Sequence, residues 1–198
     1  MPLRNCQNWI FDMDGTLTQP VHDFEEIRTI LGIPSQTPIL EYIQKLPEFE
    51  AKQVKQRLDD LEMEIAHDAV AQAGVPELLA ELKDQGRKLG ILTRNSEGIA
   101  HVTLKACGLL KYFEPQNIIG RETCQPKPLP DGIHHLIDLW QARVGETVMV
   151  GDYLYDIEAG RRAGVHTVHF DSTAQFMWPE LTDFKISKMV DLKLLYSG

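Results

Sequence analysis

The spacing of apolar residues changes along the chain, and the change divides the sequence into two parts. Residues 18–73 carry apolar positions at helical intervals with charged residues between them. From Gly74 onward, helical patterns alternate with short, almost purely apolar runs. A further apolar run, WIF, stands near the start of the chain. The pattern therefore predicts a helical segment lying between a first strand and a longer alternating region.

Three helices are predicted within residues 18–73. The first, in HDFEEIRTILG, stops at Gly32. The second, in TPILEYIQKL, opens with Thr37 as the expected N-cap and Pro38 as the first helical residue. The third starts at Pro47, and we expect its charged residues to form a solvated face. Its apolar stripe consists of Val54, Leu58, Leu61 and Ile65.

The alternating region predicts a parallel sheet. The helical patterns ELLAELKDQG, IAHVTLKACG, IHHLIDLWQARVG and IEAGRRAG precede the apolar runs KLGIL, NIIG, TVMVG and HTVHF. Helices that alternate with strands through short links form right-handed crossovers on a parallel sheet. We therefore predict an α/β fold: a Rossmann-like parallel sheet with helices on both faces and a small α-helical cap inserted after the first strand. Residues 1–17 and 74–198 would form the core, and residues 18–73 the cap.

Composition and charge restrict the class of protein. The chain has 198 residues, 43% hydrophobic and 25% charged, which is ordinary for a globular protein. Its formal net charge of −9 argues against a nucleic-acid partner. We see neither a signal-peptide pattern nor an apolar run of about 18 residues, and we expect no membrane span. Three cysteines without a CxxC pair suit a reducing cytoplasm. A monomer and a homodimer both remain open.

Polar side chains follow the predicted strands at the points where the strands end. Ligands of parallel α/β sheets lie beyond the carboxyl ends of the strands. Carboxylates gathered there repel one another unless a cation joins them, and oxygen ligands favour Mg²⁺. The residues at these strand ends are Asp12 and Asp14; Thr93, Arg94 and Asn95; Lys127; and Asp152 with Asp156.

Four motifs in this order resemble those of the haloacid dehalogenase-like hydrolase superfamily, in its phosphatase branch. The resemblance spans essentially the whole chain, and residues 18–73 look like that family's small helical cap. The motifs are DxDGT at 12–16, the threonine of ILTRN at 93, the lysine of QPKPLPDG at 127, and GDxxxD at 151–156.

The resemblance implies a role for each motif residue. Asp12 would be the nucleophile and form an aspartyl-phosphate, and Asp14 would be the general acid and base. Mg²⁺ would be held by Asp12, Asp152 and the backbone carbonyl of Asp14. Thr93 and Lys127 would bind the transferring phosphoryl group.

Other residues near the motifs are weaker candidates. Arg94 and Asn95 would contact the substrate, with Arg94 reaching its far end. Asp156 would orient the ligands of the metal or simply favour the start of a helix. His22, next to the first motif, is a candidate substrate contact.

The resemblance implies a Mg²⁺-dependent phosphatase of a small phosphorylated metabolite, of the phosphoglycolate phosphatase type. A sugar phosphomutase such as β-phosphoglucomutase shares the core motifs and stays an alternative. A dehalogenase is disfavoured because that branch needs neither Asp14 nor a metal. A phospho-acceptor signalling receiver would lack the helical insert, and a non-catalytic binding protein would normally have lost a motif residue.

Overall fold

A single parallel sheet organises the computed structural model, which describes residues 3–21 and 23–197. The sheet order is β3-β2-β1-β4-β5-β6, which confirms the predicted α/β class. His22 lies outside the described residues, so its predicted contact is not addressed. The strands are β1 Asn8–Phe11, β2 Lys88–Leu92, β3 Ile118–Ile119, β4 Thr147–Gly151, β5 His166–Phe170 and β6 Phe184–Ile186.

The central strand β1 is buried on both faces because helices cover each side of the sheet. Trp9 and Phe11 point into one apolar core with α4, α5 and α8, whereas Ile10 points into a second core with α6 and α7. Such two-sided burial explains why the strands read as continuous apolar runs. The helices of the core are α4 Val75–Asp84, α5 Glu97–Ala106, α6 Asp131–Trp140, α7 Leu154–Ala163 and α8 Lys193–Tyr196.

Three helices lie between β1 and α4, where the sequence predicts the cap. They are α1 Phe24–Leu31, α2 Ile39–Ile43 and α3 Glu48–His67. Their own small core centres on Ile27, Ile43 and Leu58. The predicted N-cap of α2 is wrong: Pro38 occupies that position, and no side chain caps the helix. Instead, the carbonyl of Thr37 accepts a hydrogen bond from Nε of Arg28 at 2.8 Å, which fixes the turn before α2.

The two links between the cap and the core lie side by side. Thr18 and Ala71 form an antiparallel bridge. The amide of Gln72 donates to the carbonyl of Leu17 at 2.8 Å, on the core side of that bridge. Both links therefore leave the core at one place. The cap boundaries at residues 18 and 73 stay a prediction.

Among the described residues, no helix combines the length and apolarity needed to cross a bilayer.

A buried ion cluster joins the cap to the core. The guanidinium of Arg121, in the loop after β3, contacts Asp59 and lies 2.8 Å from Glu62, both on α3. The Arg121 and Glu62 side chains are only 5% and 8% exposed. The expectation that the charged residues of α3 form a solvated face is therefore wrong for Asp59 and Glu62. They turn inward because α3 packs against α5 and lies over the loop that carries Arg121.

We predict that Arg121→Met destabilises the protein by about 3 kcal/mol, because it leaves the buried carboxylate of Glu62 without its guanidinium. Adding Glu62→Met should recover at least half of that loss. The control is Arg57→Met, at an exposed position of α3. The measurement is the free energy of unfolding in urea. An Arg121→Met variant no less stable than the control would contradict this role of the cluster.

Candidate active site

The site is centred on Asp12 because β1 is the central strand of the sheet. The backbone amide of Asp12 donates to the carbonyl of Val150 at 2.9 Å, which continues the pairing of β1 with β4 past the end of β1. The ammonium of Lys127 contacts the Asp12 carboxylate and lies 2.6 Å from Oδ1 of Asp156. Lys127 is buried, with 2% of its surface exposed. The predicted nucleophile and the predicted phosphate-binding lysine thus form one buried ion pair.

Three carboxylates converge beside that ammonium. One oxygen each from Asp12, Asp152 and Asp156 lies within 4.8 Å of the others. Burial raises the pKa of Asp12 to about 7, and burial together with its acidic neighbours raises that of Asp152 to about 8. Carboxylates with raised pKa values bind a hard cation favourably, because the cation removes the repulsion between them. The donors are all oxygens and fit Mg²⁺. Asp156 lies closer to the other two carboxylates than its expected role of orienting the metal ligands required.

Asp14 occupies a separate position next to the cluster. Its Oδ2 accepts a hydrogen bond of 2.8 Å from the side-chain amide of Asn95. Burial, and to a lesser extent the charge of Asp152, raises the pKa of Asp14 to about 7. Its side chain is not among the converging oxygens, so its predicted metal contact through the backbone carbonyl stays a prediction.

Lys127 keeps its charge in this setting. Burial alone would lower its pKa, but the charges of Asp12 and Asp156 outweigh burial and raise the pKa above its ordinary value. The ammonium therefore partly offsets the carboxylate charge.

The turn of the DxDGT motif packs closely against the Asp152 carboxylate. Gly15 has φ +83°, and a Cβ at this residue would lie 2.4 Å from Oδ2 of Asp152. The hydroxyl of Thr16 donates to Oδ1 of the same carboxylate at 3.1 Å. The glycine is needed both for the backbone conformation and for the close approach of Asp152.

The residues after β2 form a second layer around the cluster. The hydroxyl oxygen of Thr93 accepts a hydrogen bond from the amide of Asn95 at 3.0 Å, so its own proton can be donated to a ligand. Arg94 donates through Nη1 to the carbonyl of Lys127. Through Nη2 it meets both carboxylate oxygens of Glu41 in the cap at 2.9 Å. Asn95 therefore holds Asp14, and Arg94 holds the loop that carries Lys127. The substrate contacts predicted for Arg94 and Asn95 stay predictions.

Asp156 serves the helix start as well as the cluster. Its Oδ2 accepts from the amide of Tyr153 at 3.0 Å, as part of a capping box at the start of α7. Its other oxygen is the one that meets Lys127. Both roles considered from the sequence are thus compatible with the structure.

A cavity of about 340 Å³ lies beside the carboxylates and is lined in part by the cap. The predicted site residues other than His22 line it, together with Arg121, Tyr153 and Tyr155. Arg121 directly follows the NIIG strand, so inspection of every strand end would have found it. The lining residues from the cap are Phe24, Arg28, Gln36, Pro38, Ile39, Leu40, Leu58 and Glu62.

Comparison with known proteins finds similar chains and similar structures. A pyrophosphatase of Bacillus mycoides is 33% identical over 60% of the chain, which spans 56% of that relative. A structure described as a predicted phosphoglycolate phosphatase from Haemophilus somnus superposes with a TM-score of 0.74 at 20% identity, covering 96% of this chain and 98% of that one. That structure supports the fold alone.

Two further matches concern the family. A haloacid dehalogenase-like hydrolase domain-containing protein of Arabidopsis thaliana is 32% identical over 90% of the chain and 75% of the relative. The family model for haloacid dehalogenase-like hydrolases matches residues 18–170. With the four motifs gathered at one sheet edge, these matches show that the chain belongs to the haloacid dehalogenase-like hydrolase family.

Proposed function

We propose that this chain is a Mg²⁺-dependent phosphatase that hydrolyses a small phosphate ester through a phosphoryl group carried on Asp12. The observation that carries the proposal is the position of the Asp12 carboxylate. It lines the cavity, contacts the Lys127 ammonium, and has an oxygen within 4.8 Å of carboxylate oxygens of Asp152 and Asp156. The names of two similar proteins, a pyrophosphatase and a predicted phosphoglycolate phosphatase, support phosphoryl chemistry.

The donors for Mg²⁺ would be Asp12, Asp152 and the backbone carbonyl of Asp14, with Asp156 nearby to support them. When bound, Mg²⁺ supplies positive charge that offsets the repulsion between an attacking carboxylate and a phosphoryl dianion. The buried, all-oxygen donor set supports this choice over a softer metal.

The two chemical steps divide between two aspartates. In the first step an oxygen of Asp12 forms a bond to phosphorus, the ester bond from phosphorus to the leaving oxygen breaks, and Asp14 gives that oxygen a proton. In the second step water attacks phosphorus, Asp14 takes a proton from the water, and the bond to Asp12 breaks. A pKa of about 7 gives Asp14 both protonation states near neutral pH, as this exchange requires.

The charge on the phosphoryl oxygens is met by fixed donors. Lys127 stays protonated, and the hydroxyl proton of Thr93 can point into the cavity. Backbone N–H groups near the turn at Gly15 would add to them. These groups are held in place before substrate arrives, so little reorganisation is needed during the reaction.

The cap favours a small substrate over a macromolecule, because residues of the helices α1 to α3 line a cavity of only about 340 Å³. Hydrolysis and phosphoryl transfer within a sugar share the first step. Release of free phosphate distinguishes a phosphatase from the phosphomutase alternative.

We predict that Asp12→Asn abolishes phosphate release, because an amide is a poor nucleophile, while Asp14→Asn slows release and keeps most metal binding. Asp84→Asn, at the exposed end of α4, is the control and should match wild type. The measurement is free phosphate released from a panel of phosphorylated metabolites. Asp12→Asn retaining more than about a hundredth of the wild-type rate, a loss below about 2.7 kcal/mol, would refute the covalent route.

Chelation should abolish activity, and Mg²⁺ should restore it and raise the melting temperature of the protein. The melting shift should grow between pH 6 and 8, because Mg²⁺ binds the deprotonated carboxylates and the pKa values of Asp12 and Asp152 lie at about 7 and 8. Asp152→Asn should lose most of that shift. Ca²⁺ should bind but support poor turnover, since its coordination is larger and looser. Full activity in excess chelator would rule the metal out.

A further inference from the structure

The arginines that line the cavity are each engaged by a carboxylate of the cap. Arg94 meets both oxygens of Glu41 at 2.9 Å, and its guanidinium lies 4.7 Å from the ring centre of Tyr155. Arg28 lies 2.8 Å from Glu25.

Arg121 is engaged in the same way, by Asp59 and Glu62. A carboxylate or phosphate on a ligand is recognised by the donor fork of an arginine, and here each of these guanidinium groups already contacts a carboxylate of the protein.

The charge around the cavity leaves no positive surplus for a second anionic group. Among the described residues that line it, five carry carboxylates and four are cationic. A bound Mg²⁺ adds two positive charges, and the phosphoryl dianion of the substrate uses both. A second anion on the substrate would therefore meet no surplus of positive charge, on a chain whose formal net charge is −9.

Apart from its charged residues, the lining of the cavity is mainly apolar and aromatic. Ile39 and Leu40 line it from α2, and Phe24 lines it from the start of α1. Tyr153 and Tyr155 line it from the start of α7, with their ring centres 5.1 Å apart in an edge-to-face arrangement. Such a lining binds carbon-rich groups by burying apolar surface.

We propose that this site selects phosphate monoesters whose leaving group is uncharged and carries an apolar or aromatic part. The proposal rests on the phosphatase function proposed above and adds the substrate class. It separates this chain from enzymes whose substrate carries a second anionic group, as pyrophosphate and phosphoglycolate do. The specificity would come from two features of the cavity. The arginines are paired with Glu25, Glu41, Asp59 and Glu62, and the rest of the lining includes the apolar and aromatic side chains described above.

Matched pairs of substrates test the proposal directly. Phenyl phosphate is compared with 4-carboxyphenyl phosphate, and the phosphate ester of glycolamide with 2-phosphoglycolate. Within each pair the leaving groups have nearly the same size and differ by one negative charge. We expect kcat/KM to be at least about tenfold higher for the uncharged member of each pair, and pyrophosphate to be a poor substrate.

Glu41→Gln tests the cause of the selectivity. This change removes the ion pair on Nη2 of Arg94 and should move the ratio of kcat/KM toward the carboxylated member by about tenfold in at least one pair. The control is Glu64→Gln, which removes the same charge from an exposed position of α3 and should leave the ratio unchanged. Because the ratio is taken within one variant, a general loss of activity from a looser cap cancels.

The outcomes separate this inference from the proposed function. Wild-type protein that releases phosphate but prefers the carboxylated members overturns the inference and leaves the phosphatase function standing. A Glu41→Gln ratio equal to that of Glu64→Gln overturns the assigned role of Glu41. A wild-type protein that releases phosphate from no ester in either pair or in the metabolite panel overturns the proposed function and this inference with it.

Discussion

One ammonium among buried carboxylates is the constraint on which the rest of the structure depends. Lys127 meets Asp12 and Asp156, and Asp152 lies against the same group. Carboxylates this close and this buried repel one another, and each would otherwise shed its charge by taking up a proton. The fold fixes the positions of these carboxylates: Asp12 follows the central strand, and the turn at Gly15 leaves room for the Asp152 side chain. A site that tolerates such repulsion is suited to a divalent cation and to phosphoryl transfer.

The same network reaches the cap, and this ties substrate access to the catalytic loops. Arg94 holds the carbonyl of Lys127 with one arm and Glu41 of the cap with the other. Arg121 donates to the carbonyl of Arg94 at 3.1 Å and is buried against Asp59 and Glu62. Opening the cap would therefore break ion pairs that also steady the loops after β2 and β3. Movement of the cap and rearrangement of these loops would therefore be coupled.

Much of this architecture is predictable from the sequence because parallel sheets gather the residues that follow their strands. That geometry, with four motifs in order, is enough to place Asp12, Thr93, Lys127 and Asp152 at one edge of the sheet. Helical periodicity locates the three cap helices but not the partners of their charged residues, because a period assigns faces and not neighbours. For that reason the pattern alone puts Glu62 in solvent. The edge strand Phe184–Ile186 escapes prediction, since three residues carry too little pattern to detect.

The central claim is that phosphorus becomes covalently bound to Asp12 during turnover. The most direct measurement is rapid acid quenching of the enzyme during turnover of a phosphate ester, followed by borohydride reduction and peptide mass spectrometry. Borohydride reduces an acyl phosphate to an alcohol and leaves a free carboxylate unchanged. We predict reduction at position 12 alone, and only in samples quenched in the presence of substrate. Robust phosphate release with an unmodified Asp12 under rapid quench would contradict the account and favour direct attack by water.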